Sequence, residues 1–126
     1  MGFREKVNKY FNNHSETKEN HWDKDLQTHY FKTTKDRAFD FVTDYFKRKP
    51  GCEIIATSLP HGEISLNYKG KRKAFVIVTI IMVKPFRTAI DFSVTTEGAF
   101  FDLGYSHKLI PKLYEELKKE MTLLDK

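Results

Sequence analysis

The stretch that most constrains this chain is "KAFVIVTIIMV", Lys73 to Val83. From Ala74 to Val83 the only polar side chain is Thr79, and most of the residues are β-branched. Such side chains lose rotamer freedom in a helix and pack well on a pleated surface, and the run is far shorter than the ~20 residues a helix needs to span a bilayer. It reads as a buried strand. Alternation puts Val76, Val78, Ile80 and Met82 on one side and Phe75, Ile77, Ile81 and Val83 on the other. Both faces are apolar, so the strand is expected to be central and largely covered.

Three neighbours share the strand pattern. "CEIIATSL" and "GEISLNY" precede the run and "RTAIDFSVTTE" follows it, with short separators containing "PH" and "KGKR". Connections this short favour hairpins and antiparallel order. In the last strand Ile90, Phe92 and Val94 alternate with Ala89, Asp91, Ser93 and Thr95, giving one dry face and one partly wet.

Helices bracket the strands. In "TTKDRAFDFVTDYFKRK", Ala38, Phe41, Val42, Tyr45 and Phe46 form one stripe; Thr33 with Asp36 resembles a capping box, and Pro50-Gly51 stops the helix after three basic residues. In "YSHKLIPKLYEELKKEMTLLDK", Ile110, Leu113, Tyr114, Leu117, Met121 and Leu124 form another, starting around Leu109 to Pro111 because proline disrupts a helix interior. The expected fold is α+β: an antiparallel sheet of about four strands flanked by an N-proximal and a C-terminal helix, in the order helix, four strands, helix, with both helices on one face. Residues 1–30 are expected to form an extension, with a short docking helix on Phe3, Val7, Tyr10 and Phe11, and residues 31–126 a single domain.

Hydrophobic residues make up 40% of the chain, including eleven Phe and six Tyr, which places it among folding globular sequences. Cys52 stands alone, so no internal disulfide forms, and a reducing cytoplasm is the expected compartment. No apolar stretch of signal-peptide length follows the basic N-terminus, and no stretch reaches membrane-span length.

Phosphate-binding and nucleophile-elbow motifs are absent: there is no Walker loop, no GxGxxG and no GxSxG. The five histidines never take a metal-ligand spacing, and no cofactor or metal is called for. Cys52 follows Lys47, Arg48 and Lys49, a basic setting that favours a thiolate, yet no fixed His accompanies it; a small, partly buried thiol is the simpler reading. Asp91, Glu97 and Asp102 are carboxylates that acid-base chemistry would need paired in one pocket, which spacing alone does not do.

One charge asymmetry stands out. Between Glu63 and Asp91 no acidic side chain occurs, while Lys69, Lys71, Arg72, Lys73, Lys84 and Arg87 are all basic. If the first four close one hairpin and the last two the next, the groups lie at opposite ends of the central strand, roughly 30 Å apart at about 3.3 Å per residue. Such turns serve as solvated strand ends or as grips for phosphates, with Tyr68 and Phe86 beside them to stack a base. A second feature is "VTTEGAFFDLGYSHKLI", where a sheet end, a helix start and the polar Thr95, Thr96, Asp102, Ser106 and His107 converge on a candidate recess.

These last residues carry a resemblance. Asp102 and Gly104, with Ser106 in the place of an Asn and Ile110 as the following aliphatic, resemble the "Asp-x-Gly-x-Asn" element and amphipathic helix of the DUF1499 family. Over roughly residues 30–120 the element order is also similar to that family's, and the chain resembles cytosolic proteins of Bacillus-like bacteria. Neither resemblance implies a reaction.

The expected function is therefore a noncatalytic cytoplasmic binding or protein-interaction role, with a protein partner or a second copy as the partner and no membrane. The alternatives are nucleic-acid binding through the basic turns and a small enzyme with a pocket near Asp102 and His107. Candidate ligand- or partner-binding residues are Lys69, Lys71, Arg72, Lys73, Lys84, Arg87, Asp102, Ser106 and His107.

Overall fold

The β-branched runs take the extended conformation their composition favours. In the computed structural model, which describes residues 14–19, 21, 23–70, 73–96 and 105–124, four long strands follow the first helix: β3 (Cys52–Ser58), β4 (Glu63–Lys69), β5 (Lys73–Lys84) and β6 (Arg87–Thr96). Each pairs antiparallel with the next.

The sheet is larger than the four strands expected. Two three-residue strands precede the first helix, β1 (His14–Glu16) and β2 (His29–Phe31), and a two-residue strand, β7 (Leu123–Leu124), follows the second. The result is a seven-stranded antiparallel sheet in the order β3-β4-β5-β6-β2-β7, with β1 also paired to β6. A helix, four strands and a helix is therefore not the architecture. β1 and β2 lie end to end along β6, His14 to Glu16 opposite Thr95 to Ser93 and His29 to Phe31 opposite Ile90 to Thr88. The long strand β6 would otherwise expose an unpaired edge, which these short segments cover.

The detour between β1 and β2 is closed locally. The Lys18 N–H donates to Leu26 O at 3.1 Å, and the Thr28 N–H to Lys18 O at 3.1 Å, around a 3-10 turn at Lys24–Leu26. Both ends are tied to β6: the hydroxyls of Thr17 and Thr28 donate to the same Asp91 Oδ1, at 2.5 and 2.6 Å.

Helix α1 (Lys35–Arg48) is capped by Thr34, not by Thr33: the Thr34 hydroxyl accepts from the Arg37 N–H at 3.3 Å, while the Thr33 carbonyl takes the Thr88 hydroxyl at 2.6 Å. Its fully covered stripe is Ala38, Phe39, Val42 and Phe46, with Phe41 and Tyr45 at the margin. Helix α2 (Tyr105–Lys118) runs through Pro111 instead of starting at it, and it stops before Met121, so that Leu124 belongs to β7. The stripe continued in sequence, but the tail of the chain pairs with β2.

One hydrophobic core joins both helices to one face of the sheet, through Ile64, Leu66, Val76, Val78, Ile80, Ile90, Phe92 and Val94. Tyr114 is buried there with its hydroxyl donating to Ile90 O at 2.6 Å and its ring edge-on to Phe92. The expectation that β5 is central holds; the expectation that it is largely covered holds for one face only. Phe75, Ile81 and Val83 on the other face are 39%, 52% and 56% exposed, because both helices were spent on the opposite side.

Candidate functional site

Two glycines set the ends of the strands that carry the basic residues. Gly51 (φ +84°) accepts the Lys69 N–H at 2.8 Å, and a Cβ there would sit 2.7 Å from Lys69 O; Gly62 (φ +67°) accepts the Ile80 N–H at 2.7 Å, and a Cβ would sit 2.1 Å from Ile80 O. Both positions need the left-handed backbone and the close approach that only glycine gives without strain. The first fixes the end of α1 against the end of β4. Sequence distance therefore hides a convergence: Lys49, just past the end of α1, stands beside Tyr68, the neighbour of Lys69.

Lys69 and Lys73 are directly opposite in the β4–β5 register, and both are exposed. They line a depression of about 350 Å³ with Asn67, Tyr68, Ala74, Phe75, Thr95 and Thr96. On the far side of Tyr68, a smaller hollow of about 150 Å³ is lined by Lys49, Leu109, Lys112, Leu113 and Glu116. The Lys49 ammonium lies 5.5 Å from the Tyr45 ring centroid and 5.6 Å from that of Tyr68. These rings and the Tyr45 hydroxyl hold its pKa above the ordinary lysine value, although burial works the other way.

Lys84 and Arg87 face each other at the opposite end of β5, across the Pro85-Phe86 turn. Arg87 is engaged in the fold, with its guanidinium 4.4 Å from the Tyr30 ring centroid. Burial pushes the Tyr30 hydroxyl up to about 12, helped by the Glu19 carboxylate that accepts its O–H. Phe86 is 53% exposed at φ +59°, a conformation that costs a side-chain-bearing residue energy and that glycine or asparagine usually occupies.

The remaining sequence candidates divide as follows. Lys71, Arg72, Asp102 and Glu97 lie outside the described residues; Ser106 and His107 fall in the first turn of α2, and their side chains are likewise outside. Asp91, weighed as an acid-base group, serves as an anchor for Thr17 and Thr28. Burial raises the Cys52 thiol above its ordinary value, against the opposing pull of Lys49, so the thiolate is disfavoured at neutral pH. His29 stacks on Tyr114 with ring centroids 3.6 Å apart, and His61 pairs with Ser58 at 2.8 Å. Among the described residues no group of three His, Cys, Asp or Glu side chains is placed to hold a metal ion, and no helix is long and apolar enough to cross a membrane.

The surface that sequence reading missed is the open face of the sheet. Phe75, Ile77, Ile81 and Val83 form its central column. Glu63, Ser65 and Asn67 from β4 and Asp91, Ser93 and Thr95 from β6 flank it, since residues opposite each other across a ladder point to the same side. Met82 and Phe86, also exposed, extend the apolar surface onto the β5–β6 hairpin, where β5 runs past the end of β4. Alternation in "KAFVIVTIIMV" gave two apolar faces, and both long amphipathic helices were expected on one of them; the docking helix expected on Phe3, Val7, Tyr10 and Phe11 lies outside the described residues. Comparison with family models, with curated proteins and with solved structures gives no match.

Proposed function

We propose that the chain is a noncatalytic binding protein that takes a protein partner on the open face of its sheet, and that the partner which fits it is a second copy of the chain. The observation that carries this is the column of β5, apolar except at Thr79, with Phe75, Ile81 and Val83 exposed on a strand whose other face is buried from Ala74 to Ile80. A soluble sheet with one free face normally turns polar side chains to water. Here the centre is apolar and the polar side chains of β4 and β6 form a rim, the anatomy of an interface. Another such face supplies the missing second layer in the manner of a β-sandwich, with sheets about 10 Å apart.

Size sets the strength. From Phe75 to Val83 the column spans about 26 Å, and the four strands β3 to β6 at about 4.8 Å spacing are about 14 Å wide, Tyr30 and Ala89 being buried at the β2 side, so a pair of faces covers about 750 Å² in total. That is below the standard size of a specific interface and belongs to weak, reversible association. Sedimentation velocity over a concentration series tests it. The wild-type chain is expected to dimerise reversibly and an Ile81→Ser/Val83→Ser variant, with its fold intact by circular dichroism, to remain monomeric; a wild type that stays monomeric throughout refutes the proposal.

A further inference from the structure

The Lys69–Lys73 end of the sheet is a separate surface, and its chemistry differs from that of the apolar column. Like charges directly opposite on neighbouring strands repel, yet Lys69 and Lys73 are register partners at the mouth of the β4–β5 hairpin. Among the described residues neither forms an ion pair, unlike Lys118 with Glu115 and Lys119 with Glu116 at the end of α2. Lys49 and Lys112, across Tyr68, add to the same positive potential. Charge concentrated in and beside concave surfaces attracts anions.

The depression offers more than charge. Phe75 stands in its wall, 39% exposed, with the Asn67 side chain opposite it across the β4–β5 ladder and Thr95 opposite it on β6. Cationic side chains beside an accessible ring and an amide are what a nucleotide unit needs: the phosphates pair with the lysines, the base stacks on the ring, and the amide contacts its edge. A recess of about 350 Å³ at a sheet end takes one unstacked nucleotide unit of a flexible strand and not a rigid duplex. We infer that this end of the molecule binds single-stranded nucleic acid, with its phosphates on Lys69 and Lys73 and a base on Phe75. The site shares Phe75, Asn67 and Thr95 with the face proposed for self-association, so binding is measured at a protein concentration below that at which the chain dimerises, where the two readings fail separately.

Fluorescence anisotropy with a labelled oligothymidylate of about 12 nucleotides tests it, at salt concentrations from about 50 to about 200 mM. Each single-strand phosphate contact contributes about 0.7 to the slope of log affinity against log salt. Lys69→Thr/Lys73→Thr is therefore expected to flatten the slope by about 1.4, so that the wild type loses about sevenfold more affinity than the variant across this range. Phe75→Ala is expected to weaken binding at least about fivefold with the slope unchanged, the signature of lost stacking. Ile81→Ser leaves both quantities as they are. No binding by the wild type at about 50 mM salt, or a slope that the double substitution does not change, overturns the inference. So does displacement of the strand by inorganic phosphate or a mononucleotide at equal phosphate concentration, which makes the site one for a free phosphate compound.

Discussion

Replacing Asp91 by alanine should loosen the leading strands from the sheet. One carboxylate oxygen accepts two hydroxyls, from Thr17 at the end of β1 and Thr28 at the start of β2, both more than 90% buried. Hydrogen bonds to a charged acceptor contribute about 1.5–3 kcal/mol each. The carboxylate is only partly covered, so each belongs at the low end, and Asp91→Ala should cost about 3 kcal/mol. Thr17 keeps one tie, since its hydroxyl also accepts the Phe92 N–H at 2.9 Å. Asp91→Asn retains an acceptor and should cost roughly half as much. Urea unfolding measures the loss, and amide exchange should show residues 14–19 and 28–31 opening before β5. A double-mutant cycle with Thr28→Val should return a coupling of at least about 1 kcal/mol. Stability within about 0.5 kcal/mol of wild type, with no change in exchange, would refute the anchoring role and return Asp91 to the pool of carboxylates available for chemistry.

Gly62→Ala, strained by φ +67° and blocked by Ile80 O at 2.1 Å, should lose about 2–4 kcal/mol by thermal or urea unfolding. Lys73→Thr should gain about 0.2–1 kcal/mol at low salt by removing the repulsion with Lys69, a gain that shrinks as salt is raised. Tyr30 ionises in the folded chain at about 12, against the ordinary value of 10.0. Its contribution to stability is thus fully present below about pH 10 and is lost as the pH rises toward 12; alkaline unfolding should be less steep for Tyr30→Phe, with ultraviolet titration placing one tyrosine near 12.

Legibility followed length and periodicity. The four long strands and both helices were readable, because alternation and three-to-four spacing persist over enough residues to be distinctive. The pairing of β1, β2 and β7 into the sheet was not, even though "LQTHYFKTT" around β2 reads as extended, because two or three residues have no measurable period and their pairing is decided by the free edges of β6 and β2. Leu124 shows the same limit: it continued the helical stripe of Leu113 and Leu117, and tertiary pairing overrode it. Of the candidate residues, the separation of Lys69 and Lys73 from Lys84 and Arg87 followed from strand length alone. The approach of α1 to Lys69 did not, since it depends on the Gly51 turn. Phe86 carried no local signal, because a two-residue Pro-Phe turn lacks the glycine that a positive φ normally demands.

The claim that the open face of β5 is a binding surface is tested most directly by methyl spectra of the isotope-labelled chain across a concentration series. The account predicts concentration-dependent shifts at the methyls of Ile77, Ile81 and Val83, with Ile64, Ile90 and Val94 on the helix-covered face unmoved. Spectra that do not change up to about 1 mM, a concentration at which even a weak interface of this size is populated, or shifts confined to the β3 edge, would contradict it.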